Sequence, residues 1–240
     1  MKKKIILILP AYNASTTLVP FLENLPKNIF DDIILVDDCS TDGTYALAKS
    51  QKGIKTYQTS HNHGYGGNLK YCLSKALLEG ADAIVELHPD GEYGTDGILP
   101  ALRAVQNGAA MVLGNRFLNG MPQGMRIWKY PVTRILTWID NVFLRTRIQD
   151  MHQGFRVYTR QLLEKVNYKK GSDDYLFSFE IIAQAAYKKL PIESVAVTTR
   201  YFGIKRGASL QASALYTLKT FWILYLFALA KCGFKIPLFS

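Results

Sequence analysis

Three turns of this chain concentrate side chains able to do chemistry. Asp37-Asp38-Cys39-Ser40-Thr41-Asp42-Gly43 opens on paired carboxylates, His88-Pro89-Asp90-Gly91-Glu92 sets two carboxylates and an imidazole within five residues, and Gly64-Tyr65-Gly66-Gly67 gathers glycine. Carboxylates accept hydrogen bonds from hydroxyls and amides and, with imidazole, ligate divalent cations: magnesium takes oxygen donors, whereas manganese also accepts nitrogen. Two later clusters differ in kind. Asp150-Met151-His152-Gln153-Gly154-Phe155-Arg156 joins carboxylate, imidazole and guanidinium, so Asp150 or His152 could take a proton from a hydroxyl and Arg156 could hold a phosphate. Arg200-Tyr201-Phe202-Gly203-Ile204-Lys205-Arg206 carries three cations in seven residues, which suits an anion. Each cluster also has a plainer reading. Turns rich in Asp and Ser cap the next helix, His88 ends a strand with a hydrogen bond, and Arg156 makes a surface salt bridge.

The elements that must position these turns follow from hydrophobic period. Short apolar runs alternate with amphipathic stretches, the pattern of βαβ units and a parallel sheet. Strands are predicted at Ile5 to Leu9, Ile33 to Val36, Ile54 to Thr59, Ala83 to Leu87, Ala110 to Leu113 and Ile192 to Thr198. Helices are predicted at Thr16 to Leu25 with Ser15 as cap, through Ala46 and Ala48, from Asn68 to about Glu79 after a His61 to Gly67 loop, near Ile98 to Val105, at Trp128 to Leu144 and at Leu176 to Lys188. Ligands bind beyond the carboxyl ends of parallel strands, where the acidic and glycine turns fall. Gly120 to Gly124 reads as a loop. No linker separates the halves, which predicts one continuous unit.

The glycines do not fit two common phosphate cradles. A dinucleotide fingerprint follows the first strand, but Gly64, Gly66 and Gly67 follow the third and Leu69 stands where the last glycine would be; no Gly-Lys-Ser/Thr P-loop is present. A dehydrogenase and a P-loop NTPase are therefore disfavoured.

Composition sets the outer bounds. The 240 residues are 48% hydrophobic and 20% charged, which argues against disorder, a coiled coil or a polytopic membrane protein. Twenty-nine Lys and Arg against 19 Asp and Glu leave +10, which favours a polyanion, an anionic membrane surface or a phosphorylated substrate. Cys39, Cys72 and Cys232 form no C-x-x-C pair, which points to a reducing compartment. The Ile5 to Leu9 run is shorter than a signal-peptide core and reads as a buried first strand of a cytosolic protein.

The carboxyl-terminal stretch is apolar. Thr220 to Ala230 carries no charge, Phe221 to Phe227 is its centre, and Lys219 and Lys231 bracket it. Alone it is short of the roughly 20 residues of a span, a length it reaches with Gly207 to Leu218 only by tolerating Lys219, which leaves open whether Gly207 to Ala230 spans or lies on a membrane. Leu215, Phe221, Trp222, Leu224 and Phe227 surround a helical projection, predicting no single dry face. Its lysines and aromatics favour membrane-surface attachment over a core helix or an oligomer contact.

Four segments together carry a resemblance. Leu9-Pro10-Ala11-Tyr12-Asn13, Val36-Asp37-Asp38-Cys39-Ser40-Thr41-Asp42-Gly43-Thr44, Gly64-Tyr65-Gly66-Gly67-Asn68 and Gly114-Asn115-Arg116-Phe117 look like family-two glycosyltransferases of GT-A fold. The set is most similar to the dolichol-phosphate mannosyltransferase-like branch and its bacterial relatives that glycosylate polyprenyl phosphates or glycolipids, over about residues 4 to 205. The resemblance implies an α/β, Rossmann-like, mostly parallel sheet flanked by helices, with residues 1–209 as the transferase unit (1–115 the nucleotide-sugar half, 116–209 the acceptor half) and 210–240 as a membrane-associated helical tail.

It further implies a UDP- or GDP-sugar donor held by Pro10, Ala11, Tyr12, Asn13, Val36, Asp37, Asp38, Gly66, Gly67, Asn68, Arg116, Arg200 and Lys205. A divalent metal, manganese or magnesium, would sit on Asp90, Glu92 and His88, although His88 replaces the first carboxylate of the family's Asp-x-Asp-x-Gln. Asp150, His152 and Arg156 are the catalytic candidates, and the reaction would be an inverting transfer to a polyprenyl phosphate or lipid-linked saccharide. Expected partners are that lipid phosphate or glycolipid and an anionic membrane surface at the cytoplasmic face, the chain being peripheral or tail-anchored, with a homo-oligomer through the last helix and no nucleic acid. Two alternatives stand beside it: a non-catalytic nucleotide-sugar-binding protein, suggested by His88, and a transferase with a soluble or protein acceptor.

Overall fold

The computed structural model describes residues 3–118, 120–122, 125, 127–199 and 210–240. In chain order the strands are β1 (Ile5–Ala11), β2 (Asp32–Asp37), β3 (Lys55–Gln58), β4 (Ala83–Glu86), β5 (Met111–Asn115), β6 (Arg156–Thr159) and β7 (Ile192–Ala196). The helices are α1 (Ser15–Glu23), α2 (Thr44–Lys49), α3 (Gly64–Leu78), α4 (Ile98–Gln106), α5 (Lys129–Leu144), α6 (Arg160–Lys165), α7 (Phe177–Tyr187) and α8 (Leu210–Lys231).

The strands form one seven-stranded sheet in the order β3-β2-β1-β4-β6-β5-β7. β1 runs parallel to β2 and β4, β2 to β3, and β5 to β7, while β6 is antiparallel to both β4 and β5. The expected mostly parallel sheet is therefore present with one reversed strand, and β6 places residues of the second half between two strands of the first.

β1 is apolar throughout because it is covered on both faces, as central parallel strands are. Ile6 and Ile8 point into a core shared with α3, α7 and α8, and Leu7 and Leu9 into a second core shared with α1 and α4. Every residue of α7 from Phe177 to Ala185 is buried, so this helix fills the interior rather than lining the surface.

Two local expectations change. Ser15 is not a cap: Ala14 holds the cap position without a side-chain bond, and the Ser15 amide donates instead to the carboxylate of Asp42, 3.0 Å away in the turn after β2. The Gly64 to Gly67 stretch is not a loop but the first turn of α3. The carboxyl-terminal helix also differs. It has one packed stripe, Thr220, Ile223, Leu224, Phe227 and Ala230, at the spacing of a single helical face.

Candidate functional site at the sheet edge

β1, β2 and β4 end at the same edge, with Ala11 paired to Asp37 and Ile8 to Glu86. The Asp38 amide donates to the Ala11 carbonyl at 2.8 Å and the Leu87 amide to the Ile8 carbonyl at 3.2 Å, so the β1 terminus lies between the Asp38 and His88 turns. Pro10 and Ala11 are buried there, while Tyr12 is 53% exposed. Asn13, at φ 48°, accepts the Thr41 amide on Oδ1 at 3.0 Å, and its own amide donates to Ser40 Oγ at 2.8 Å. These bonds stitch the first two turns together and hold two non-glycine residues, Asn13 and Cys39 (φ 59°), in the left-handed region.

The paired carboxylates do structural work at this edge. Asp37 accepts from the Ser40 amide at 3.1 Å and Gln58 Nε2 at 3.0 Å, and its buried Oδ1 has no partner among the described residues. Asp38 Oδ1 accepts from Thr59 Oγ1 at 3.0 Å and the His63 amide at 2.9 Å.

The glycine turn serves packing rather than phosphate. The Gly66 and Gly67 amides both donate to the Asp173 carbonyl, at 2.7 and 3.2 Å, which takes the donors a phosphate would need. A Cβ on Gly66 would lie 2.3 Å from the Ser172 carbonyl oxygen and one on Gly67 2.7 Å from His63 Cβ. Asn68 is buried, its amide donating to the Val36 carbonyl at 3.1 Å and the Ala11 carbonyl at 3.5 Å. These three residues thus hold α3 against the 172–174 backbone and the ends of β1 and β2. Gly66→Ala is expected to cost about 2–3 kcal/mol, because backbone must move to admit the methyl group. Urea denaturation would measure it, and a loss under about 0.5 kcal/mol would contradict the close approach.

A buried polar hub lies beneath the edge, and sequence reasoning missed its centre, Glu86. This fully buried carboxylate accepts from Tyr65 Oη at 2.7 Å and Tyr158 Oη at 2.6 Å, pairs with His88 Nε2 at 3.1 Å, and has Arg156 Nη1 3.9 Å away. Burial alone would raise the Glu86 carboxyl, but the His88 hydrogen bond and the Arg156 charge outweigh it and hold the group below its usual range. For His88, burial pulls the imidazole down and the bond to Glu86 overcomes it, so the net shift is upward. Both directions favour a charged pair. Burial pushes the Tyr65 and Tyr158 hydroxyls well up, keeping them as neutral donors.

This arrangement corrects one expectation. Arg156 is 2% exposed on β6, where it makes no surface salt bridge and faces Glu86 and Tyr65 rather than an incoming phosphate. His88 Nε2 is engaged by Glu86, which orients the imidazole, and the ring stacks on Tyr65, which in turn stacks on Tyr175.

The acceptor-side candidates are also engaged. Asp150, fully buried, receives a two-pronged pair from Arg116, Nε to Oδ2 at 2.8 Å and Nη2 to Oδ1 at 2.9 Å, and Arg116 Nη2 also reaches the His152 carbonyl at 2.8 Å. Asp150 therefore holds Arg116 in place. His152 Nε2 lies 2.9 Å from Asp140 Oδ2 on α5, and Nδ1 3.0 Å from Tyr216 Oη on α8. Both ring nitrogens of His152 are thus engaged. Glu180 on α7 is buried and accepts from the Ser172 amide and hydroxyl; burial raises its carboxyl.

Asp90 and Glu92 occupy the turn after β4, half-buried, and the Glu92 amide donates to Asp90 Oδ1 at 2.9 Å. Among the described residues no three His, Cys, Asp or Glu side chains gather into a metal cage. Two carboxylates on one turn fit an ion that takes its remaining oxygens from a diphosphate, the usual arrangement for magnesium with phosphate substrates. Arg200 and Lys205 lie outside the described residues. The chain leading to them is placed: Thr199 pairs with Tyr93, and the Gly94 amide donates to the Thr198 carbonyl at 2.8 Å, beside the Asp90 turn.

A mixed sheet of this order, with acidic turns collected at its edge, defines a GT-A-type scaffold. The same fold appears in the crystal structure of glucosyl-3-phosphoglycerate synthase from Mycobacterium tuberculosis in complex with Mn2+, UDP and glucosyl-3-phosphoglycerate, with a TM-score of 0.69 over 98% of this chain and 81% of that one at 17% identity. The model for Glycosyl transferase family 2 matches residues 6–166, and the chain belongs to that family. It is a glycosyltransferase. The UDP-N-acetylglucosamine–dolichyl-phosphate N-acetylglucosaminyltransferase of Methanococcus voltae is 26% identical, covering 86% of this chain and 90% of its own length. The polyprenol monophosphomannose synthase of Mycolicibacterium smegmatis is 25% identical, covering 82% and 77%.

Proposed function

We propose that this glycosyltransferase moves a sugar from a UDP- or GDP-sugar to a polyprenyl phosphate or lipid-linked saccharide, with inversion, at the cytoplasmic face of a membrane. The observation that carries the reading is the convergence at one sheet edge of the Tyr12, Asp38 and Asp90 turns, with the Thr199 segment bridged beside them. The named activities of the two relatives support the lipid acceptor, and the UDP and Mn2+ in the solved neighbour support the donor and a divalent ion. Three free cysteines suit the reducing side of a membrane.

In the proposed step an acceptor oxygen attacks the anomeric carbon opposite the diphosphate. The new glycosidic bond forms as the old carbon–oxygen bond breaks, and the nucleoside diphosphate leaves with the electron pair. Tyr12 offers an exposed ring to the donor, and the stitched Asn13 and Asp38 turns fix the pocket floor. Asp90 and Glu92 would hold a manganese or magnesium ion, which when bound neutralises the charge growing on the departing diphosphate. Arg200 and Lys205 are proposed as further diphosphate contacts. An acceptor phosphate is already anionic and needs no base, which agrees with Asp150 and His152 both being engaged, whereas a saccharide hydroxyl would pass its proton to Asp150 or His152. Residues 1–209 are proposed as the catalytic unit and 210–240 as the membrane-associated tail. A homo-oligomer through α8 draws no support, since the packed stripe of α8 is used within the chain.

Transfer of radiolabel from each UDP- and GDP-sugar to extracted lipid tests the reading, with the product's anomeric configuration read by NMR. Chloroform-soluble product of inverted configuration is expected. No product with any donor, together with no donor binding by calorimetry, would remove the proposal, and a water-soluble product would move it to a soluble acceptor.

A further inference from the structure

The chain's three tryptophans, Trp128, Trp138 and Trp222, are 47%, 66% and 57% exposed. Trp138 lies on α5, Trp128 immediately before it, and Trp222 on α8, and the two helices pack on each other. Each helix has two faces of opposite use. α5 buries Thr137, Asp140 and Leu144, while Val132, Ile135, Trp138 and Val142 form an exposed apolar stripe at helical spacing. α8 buries the stripe from Thr220 to Ala230 and exposes Leu215, Leu218, Trp222 and Tyr225. Both buried faces meet at His152, through Asp140 and Tyr216, so both apolar faces turn away from the same interior.

Soluble monomers rarely expose contiguous apolar surface on this scale. Charge indicates what covers it. Across 127–149 the charged side chains are Lys129, Arg134, Arg145 and Arg147 with one acid, Asp140, which is buried on His152; across 210–240 they are Lys219, which pairs with Asp174, and Lys231 and Lys235, with no acidic side chain in that stretch. Exposed tryptophan, aliphatic side chains and cations alone are the chemistry of the headgroup layer of an anionic bilayer.

We propose that α5 and α8 form one platform that seats the enzyme in the plane of an anionic lipid bilayer, with α5 as a second contact and α8 lying along the interface instead of crossing it. The proposal builds on the membrane reading above and adds the orientation and the second helix. Crossing would strip Ile223, Leu224 and Phe227 from the core they share with α7, so α8 cannot span without dismantling its own packing. The Asp140–His152–Tyr216 contacts then connect the platform to the 150–154 loop beside Arg116.

Tryptophan quenching decides it, using the full chain and phosphatidylcholine–phosphatidylserine vesicles brominated at shallow or deep acyl positions. Trp128→Phe/Trp222→Phe leaves Trp138 as the reporter, and Trp128→Phe/Trp138→Phe leaves Trp222. Both reporters should be quenched, shallow bromines acting more strongly than deep ones, and Ile135→Glu should weaken vesicle partitioning by about tenfold or more. Quenching of Trp222 with Trp138 unaffected would overturn the role of α5, and stronger deep quenching at Trp222 would overturn the in-plane orientation; either result leaves the membrane reading standing. No vesicle binding at all would remove both. Absence of quenching together with a concentration-dependent dimer in sedimentation would mean that a second copy covers these faces, and would overturn the proposal.

Discussion

Asp90→Asn is expected to lower sugar transfer by about a thousandfold while leaving the folded state intact, because charge neutralisation at the leaving group is the largest single contribution such a site makes. Asparagine is nearly isosteric and keeps an oxygen for the Glu92 amide, now 2.9 Å from Asp90 Oδ1, so the turn itself should survive. What it lacks is the negative charge that, on the proposed function, would hold a divalent ion at the departing diphosphate. The manganese concentration needed for half-maximal rate should therefore rise along with the fall in kcat. Glu92→Gln should show the same direction with a smaller effect. An Asp90→Asn enzyme with full rate and unchanged metal dependence would remove this residue from the site. A loss of rate with an equal loss of melting temperature would show that the turn is structural.

The positions of these turns were legible in the sequence because of the regular period of the first half. Apolar runs ending in Asp or Gly mark the carboxyl ends of parallel strands, and that is where Asp37, Asp38 and Asp90 lie. The chain became harder to read where the period broke. β6 is only four residues long and antiparallel, too short to show a period, so Arg156 reads as a group available to a phosphate or a surface salt bridge although it stands in the middle of the sheet. Gly66 and Gly67 illustrate a different loss. A glycine pair reads equally as a phosphate cradle or as a close backbone approach, and only the position of Ser172, more than 100 residues later, decides between them.

Charged clusters were misread for one shared reason. Asp150, His152 and Arg156 look available in a linear string, but each partner comes from a distant element: Arg116 after β5, Asp140 on α5 and Glu86 on β4. Glu86 had one usable signal, a carboxylate closing the apolar run of a central strand. Such a group must find partners inside the protein, since burying it alone is prohibitive.

That requirement makes Glu86→Ala the substitution with the largest expected cost in stability, about 3–5 kcal/mol. Removing the carboxylate leaves the Tyr65 and Tyr158 hydroxyls without their acceptor and Arg156, 2% exposed, without its nearest counter-charge. Among the described residues Arg156 Nε has no hydrogen-bond partner, so the guanidinium depends heavily on Glu86. Glu86→Gln should cost less, since its amide oxygen can still accept from one tyrosine, though the amide hydrogens would face donors. The double variant Glu86→Leu/Arg156→Met should recover much of the lost stability, because a matched apolar pair removes both desolvated charges together. Urea midpoints with unchanged slopes would give these values, and a Glu86→Ala loss below about 1 kcal/mol would contradict a hub at this position. The double variant carries the functional question further. It should fold without the bond that orients His88 on the Tyr65–Tyr175 stack, two residues before Asp90. If it folds well but transfers poorly, the buried ion pair acts mainly to aim the β4 turn; full transfer by the double variant would assign the pair to stability alone.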